Sequence, residues 1–293
     1  MEVLLAGGSG FIGKALEKHF EEQNITTKVL TRRPRSPHHI HWDPQNQIIN
    51  PKELSQITHI INLCGENIAN KRWTNSRKKK LISSRVETTR FLYEICVEHC
   101  PHLTHYVGIS GVNAFGFKDE KVYTESDPYG LDFLSNLVNQ WESSHRLFHS
   151  LKSFSILRLG MVISRKGGAF TKIAQPMRWG LGAVPGSGNQ IIPWIHLDDV
   201  VGLIQLIFNH GPLSLVHATA ECSSMKAITY QIAKIENKKI ILPNIPAVLI
   251  KLLLGELGQL LTESLRVSNE PLLTSGYNLK YKQPEDLINE EEN

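Results

Sequence analysis

The sequence predicts an α/β protein built on a doubly wound parallel sheet, with a smaller lobe at its C-terminal end. Three observations carry this. Strand-like and helix-like runs alternate through the first half of the 293 residues. Residues 57–63, with Ile57, Ile60, Ile61 and Leu63, read as a parallel strand buried on both faces. Glycines and prolines then crowd 167–193, where the alternation stops.

The first strand is predicted over 2–6 and the first helix over 11–23, where Ile12, Leu16 and Phe20 share one face. Strands follow at 27–30, 39–42 and 57–63. A long polar helix is predicted over 74–100, then a strand at 104–110, a helix at 131–151 and a strand at 153–159. Alternation of this kind implies right-handed crossovers. After about Gly160 the character changes, with helices predicted at 197–209, 226–235 and 246–261. The expected division is therefore 1–165 for the sheet domain and 166–293 for a lobe over a substrate cleft, with some segments free to return to the sheet.

Bulk properties exclude several classes of function. A hydrophobic content of 41% with 20% charged residues suits a soluble globular chain. The formal charge of +4 is mild and forms no stripe, so no nucleic-acid partner is expected. The apolar run 245–254 is about half of what a membrane span needs and carries Lys251. It reads as an amphipathic or buried helix, and no membrane partner is expected. No signal peptide is evident, because Glu2 follows Met1 and the apolar run 3–6 enters a glycine loop. Cys64, Cys96, Cys100 and Cys222 form no Cys-x-x-Cys pair, so they read as free thiols, no metal is expected, and a reducing, cytoplasmic compartment fits. The acidic end, 290–292, reads as solvated.

Gly7-Gly8-Ser9-Gly10-Phe11-Ile12-Gly13 follows the first strand and opens the first helix. In that context Gly7 permits the tight turn, Gly10 lets the backbone approach a pyrophosphate, and Gly13 lets the helix pack closely on the strand. The candidate cofactor-binding residues of this loop are Gly7, Ser9, Gly10, Phe11, Ile12 and Gly13, in a Rossmann-type domain that binds a dinucleotide at the helix N-terminus. An NAD site places a carboxylate at the end of the second strand. Here that position reads Thr31-Arg32-Arg33, and Arg32 suits a 2′-phosphate. The expected cofactor is NADP.

Further motifs are Asn62-Leu63-Cys64-Gly65-Glu66-Asn67-Ile68, Lys71-Arg72-Trp73, Phe133-Leu134-Ser135-Asn136-Leu137, Trp141-Glu142, Gly180-Leu181-Gly182, Gly186-Ser187-Gly188 and Pro193-Trp194-Ile195-His196-Leu197-Asp198-Asp199. With these the chain resembles the atypical short-chain dehydrogenase/reductases. More narrowly it resembles their epimerase-like family 39U, whose C-terminal extension matches 246–255 and Gly276-Tyr277. The resemblance covers essentially the whole chain. It implies that Thr31 and Arg32 meet the adenosine ribose-phosphate, that Leu63 and Cys64 line the adenine and ribose path, and that Arg85, with Lys80 nearby, reaches the cofactor. It places Val162 near the nicotinamide. Cys64 stands where relatives usually have alanine.

The chemistry is less complete than the binding site. Short-chain dehydrogenases use a tyrosine, a lysine four residues later and a serine or threonine on the carbonyl. Ser110 is the one catalytic candidate, at the end of the fifth strand. The tyrosine and lysine positions are Phe133 and Leu137. Tyr230 and Lys234 have the right spacing in the wrong lobe, and the stretch 111–117, where many relatives carry a substitute tyrosine shortly after the serine, has none. Tyr123 and Tyr129 lie in the following loop. Glu125, Glu142 and Asp199 read as caps or ion-pair partners, His196 as a core histidine, and the 71–80 basic cluster as a solvated helix start. Arg178 and Asn189 lie where relatives contact substrate. Two readings stay open: an NADP-dependent oxidoreductase or epimerase acting on a small polar molecule, or a non-catalytic NADP-binding sensor or structural subunit.

Overall fold

The computed structural model describes residues 1–117 and 121–290, and its architecture follows from the first strand. In β1 (Glu2–Ala6), Val3 and Leu5 enter one apolar cluster while Leu4 and Ala6 enter another. Successive side chains point to opposite faces of a strand, so a strand apolar at each position needs cover on both sides. Helix α1 (Phe11–Glu22) supplies one cover, pressing Leu16 and Phe20 into the first cluster. Then come β2 (Thr26–Thr31), β3 (His39–Asp43), β4 (Ile48–Ile49) and β5 (His59–Asn62).

The single helix predicted over 74–100 is two helices, α2 (Asn75–Ser83) and α3 (Val86–His99). At the break, the Ser84 hydroxyl donates to the Leu81 carbonyl and accepts from the Glu66 N–H. Such local bonding competes with the helix ladder. Next are β6 (His105–Gly111), β7 (Val122–Tyr123) and α4 (Phe133–His145). Helix α4 is shorter than predicted, because Asp132 caps the Leu134 and Ser135 N–H groups and the far end tightens into a 3-10 turn, Arg146–Phe148.

The remaining elements are β8 (Ser153–Leu159), β9 (Met161–Ser164), α5 (Gly168–Arg178), β10 (Ile191–Ile192), β11 (Trp194–His196), α6 (Leu197–His210), β12 (Ser214–Ala218), β13 (Ser223–Ser224), α7 (Met225–Ile235), α8 (Ala247–Leu254), α9 (Gln259–Thr262), β14 (Arg266–Val267) and α10 (Glu270–Thr274). The predicted helix over 246–261 is interrupted by a 3-10 turn, Gly255–Gly258.

The main sheet runs β12-β8-β6-β5-β1-β2-β3-β4 and is parallel apart from the β3–β4 hairpin. Strand order reverses between β1 and β5, which opens a crevice at their carboxyl ends. Strand β12 joins this sheet from the C-terminal half, while β9 pairs with β11 beside it.

One surface expectation is overturned. Glu290 is buried, and its carboxylate accepts from the Ser164 hydroxyl (2.6 Å) and the Arg165 N–H (2.8 Å). It also faces His196 Nε2 at 3.1 Å. The chain's end is tied to β9 because these donors would otherwise be buried unpaired. Residues 291 and 292, in the same expected solvated tail, lie outside the described residues.

Two buried histidines make the fold acid-sensitive. His145 accepts from the Tyr106 hydroxyl at Nδ1 (2.6 Å) and donates from Nε2 to the Ile109 carbonyl. Burial pushes its pKa down to about 4. Burial, with a smaller contribution from the stacked His105 ring, pushes His59 down to about 4 as well. Both folded values lie below the ordinary 6.5, so the stability they represent is complete above pH 6.5 and lost as pH falls toward 4. Each imidazole is worth up to about 3 kcal/mol over that window. A melting temperature recorded from pH 7.5 to 4.5 should fall through this interval, less steeply in His145→Gln. A flat profile in the parent protein would contradict the assignment.

Candidate functional site

The crevice at the strand reversal is where the predicted residues meet. Gly7 turns the chain out of β1 with φ +79°, and a Cβ there would press on the Leu63 carbonyl at 3.0 Å. Helix α1 then starts at Gly10 with no side-chain cap, leaving its first-turn N–H groups for an anion. Gly7, Ser9 and Gly10, with Thr31 and Arg32 after β2, Leu63 and Cys64 after β5, and Lys80 on α2, line one cavity of about 430 Å³. Burial pushes the Cys64 thiol up to about 12, so it stays neutral.

Other predicted residues stand behind this cavity. Gly13 packs on the backbone of Gly8, inside the loop and not against the strand. The Phe11 ring packs where side chains on Gly167 and Gly168 would stand, and Ile12 is half-buried against the first cluster. Val162 lies in β9, paired with Ile195, its carbonyl against Gly168.

Arg85 is buried beneath Gly65, donating to the Leu81 and Glu66 carbonyls with its guanidinium 4.8 Å from the Trp141 ring. Burial pushes its pKa down to about 10, and among the described residues its Nε meets no hydrogen-bond acceptor. Lys80 faces Glu66 at 3.5 Å, and Glu66 also takes Arg77 at 2.9 Å.

Sequence reasoning missed the outer wall of the cavity. Trp42, Pro44 and Gln45, from β3 and the turn after it, line it together with Leu30. No motif marks them, because they arrive through the β2–β3 pairing. A second cavity, of about 570 Å³, adjoins the first through Ser9, Thr31 and Arg32, and adds Lys14, Arg33, Arg35 and His39. Its cationic wall matches a phosphate. Glu17, on the same wall, is met by His38 Nε2 at 2.6 Å and His39 Nε2 at 3.6 Å. This group has metal-like spacing. His39 Nδ1, however, accepts the Arg35 N–H, so its Nε2 keeps a proton and offers no lone pair.

Ser110 is placed away from the cavity. Its hydroxyl donates to Glu142 Oε1 at 2.8 Å, within a buried polar group. The same carboxylate takes Arg158 twice, at 2.7 and 2.9 Å, and the Tyr129 hydroxyl at 2.6 Å. Strand register puts Ser110, Arg158 and His217 in one row across β6, β8 and β12. Burial alone would raise the Glu142 pKa. The Arg158 guanidinium and the two hydroxyls outweigh it and hold the carboxyl below its usual range.

Phe133 and Leu137 stand in an apolar cluster with Trp73, Leu81 and Leu257, the Phe133 ring 5.3 Å from that of Trp73. Tyr123 is stacked on Phe115, and Tyr230 is exposed on α7. Glu125 accepts the His217 N–H, and Asp199 accepts from the Tyr277 hydroxyl and the Lys280 and Tyr281 N–H groups. Arg178 is engaged by Glu236 through both Nε and a terminal nitrogen, and the Asn189 N–H donates to Ser187. Among the described residues no helix is long and apolar enough to cross a membrane.

The chain can be compared with known proteins on this basis. The profile of the NAD dependent epimerase/dehydratase family matches residues 3–215. Epimerase family protein SDR39U1 of Mus musculus is 32% identical over 292 residues, which cover 97% of each chain. An epimerase family protein of Staphylococcus saprophyticus is 30% identical, covering 95% of each. The crystal structure of human SDR39U1 (isoform2) with NADPH superposes with a TM-score of 0.87 at 28% identity over 98% of each chain. A UDP-glucose 4-epimerase from Thermotoga maritima shares the fold, with a TM-score of 0.78 at 14% identity over 99% of this chain and 97% of that one.

Proposed function

We propose that this chain, which belongs to the NAD dependent epimerase/dehydratase family and is related within it to the SDR39U1 proteins, binds NADP(H) along the crevice between β1 and β5. The carrying observation is the pair of adjoining cavities, one floored by the glycine loop and one walled by cationic side chains around Arg32. The residues fit the cofactor: α1 has no side-chain cap, and Gly7 leaves no room for a side chain where the backbone meets the pyrophosphate. Gly7, Ser9 and Gly10 would hold the pyrophosphate, Thr31 and Arg32 the 2′-phosphate, and Trp42, Leu63 and Cys64 the adenosine. Bound there, NADPH supplies a hydride. Human SDR39U1, solved with NADPH, supports the same choice of cofactor. Four free cysteines support a reducing, cytoplasmic setting.

An oxidoreductase or epimerase role on a small polar substrate is the reading the family supports. A non-catalytic sensor is favoured by one specific observation: the tyrosine and lysine positions hold Phe133 and Leu137 in an apolar cluster, and the Ser110 hydroxyl is committed to Glu142.

Arg32→Ala should weaken NADPH binding by about 10–100-fold, the worth of one charge-assisted contact, and leave NADH unchanged. Equal affinity of the parent protein for both cofactors would remove the 2′-phosphate assignment. Following NADPH absorbance against a panel of carbonyl compounds separates the two readings. Turnover by the parent protein excludes the sensor, and saturable binding without turnover supports it.

A further inference from the structure

Helix α8 is the segment whose apolar run raised the question of a membrane, and the fold leaves it uncovered. Ile250 faces inward, while Val248, Leu249, Leu252 and Leu253 are exposed, Val248 by 79% and Leu252 by 71%. These positions are spaced i, i+1, i+4 and i+5, which is one continuous stripe of a helix. Two more exposed apolar side chains stand in the strand-like pairing that precedes α8. The Leu242 N–H donates to the Gly182 carbonyl and Ile245 pairs with Pro185, which sets exposed Ile241 beside exposed Leu181. Together these are six exposed apolar side chains on neighbouring segments, more than scattered exposed leucines explain.

The charges around the patch select among occupants. Each acid here is engaged by a cation: Glu236 by Arg178, Glu263 by Lys251, and Glu256 by Lys78. Lys238, which shares Glu236 with Arg178, and Lys239 are exposed and directly precede the patch, and with them cations outnumber these acids. A second copy would bring the same cationic rim against itself. An apolar stripe bordered by lysines is instead complementary to an anionic bilayer surface, where the apolar side chains enter the headgroup boundary and the lysines meet lipid phosphates. We propose that this chain docks peripherally on anionic lipid membranes through α8 and the 238–242 segment. No spanning helix is needed. The expectation of no membrane partner considered only a span and did not allow for this exposed stripe.

Vesicle co-sedimentation of the full chain tests this. The protein should pellet with phosphatidylcholine vesicles containing about 30% phosphatidylglycerol and stay in solution with phosphatidylcholine alone, because the anionic surface is what the lysines read. Val248→Asp/Leu252→Asp should lower partitioning at least about tenfold by putting charge into the apolar boundary. Lys238→Glu/Lys239→Glu should lower it by about tenfold or more while leaving the apolar stripe intact. None of these residues lines the cofactor cavities, so each variant should keep its thermal shift with NADPH, which establishes that it is folded. Absence of pelleting, or equal pelleting with neutral and anionic vesicles, overturns the proposal. So does a dimer in light scattering that Leu252→Asp dissociates while vesicle binding is unchanged, which would assign the face to a second copy.

Discussion

Replacing Glu142 with alanine is expected to destabilise the protein by about 3–5 kcal/mol, among the largest losses any single side chain here should produce. Glu142 and Arg158 are 0% and 1% exposed and meet through two parallel N–H···O bonds of 2.7 and 2.9 Å. Forming such a pair gains little, since desolvation offsets most of the attraction. Removing one partner is different, because it leaves the other charge buried with no counterion. Among the described residues, Arg158 would keep the 3.4 Å contact to His217 and the faces of the Phe115 and Tyr129 rings. Ser110 and Tyr129 would lose their acceptor at the same time. Urea melts measure the cost, and Glu142→Leu/Arg158→Met should recover most of it by removing both charges. A loss below about 1 kcal/mol in Glu142→Ala would mean that the pair is hydrated, and that Ser110 is freer than its 2.8 Å bond implies.

That expectation bears on function as well as stability. A serine that serves a carbonyl in hydride chemistry must offer its proton to the substrate. Ser110 offers it to a carboxylate whose other oxygen is also saturated by Tyr129 and Arg158. The group ties β6, β8 and α4 together through these bonds.

The cofactor side was legible in the sequence because its parts are contiguous. The run 7–13 carries turn, close approach and helix start in one stretch, and Thr31-Arg32 follows at the end of the next strand. The Ser110 group was not legible, because it depends on register. Arg158 sits in an apolar strand, Ser153–Leu159, and reads as an interruption of it. Only the parallel pairing of β6, β8 and β12 shows that Ser110, Arg158 and His217 share a row facing Glu142. The break at Ser84 was hidden for a similar reason. Helical periodicity continues across it, and the bond that ends α2 comes from Glu66, 18 residues earlier. Glu290 looked like any acidic terminus, and its three partners lie 94 to 126 residues away in the chain. Exposure of α8 was equally hard to read, since a run of seven apolar residues around Lys251 announces burial unless the fold fails to cover it.

Gly13→Ala is the second change expected to have a large effect, and it acts on binding and folding together. A Cβ at Gly13 would lie within 3.0 Å of the Gly8 carbonyl oxygen, Cα and carbonyl carbon. All three are backbone atoms, so no side chain can swing aside to admit the methyl. Gly8 has little room to retreat toward the core, because a Cβ built on it would already stand 2.8 Å from the Leu5 and 2.9 Å from the Val29 side chain. Either α1 or the loop must therefore move. Moving α1 disturbs Leu16 and Phe20 in the first cluster, at a cost of roughly 1–3 kcal/mol or more for an overpacked contact. Moving the loop carries Ser9 and Gly10 away from the position where the helix N-terminus meets the pyrophosphate, which should reduce NADPH affinity by at least about 100-fold, the loss of two or more charge-assisted bonds. Gly111→Ala is the matched control, since nothing lies within 4 Å of a Cβ there, and it should melt within about 1 kcal/mol of the parent protein. If Gly13→Ala kept both its melting temperature and its shift with NADPH, the Gly8–Gly13 contact would not be what sets the loop, and the glycine at 13 would be dispensable to the site it was read as building.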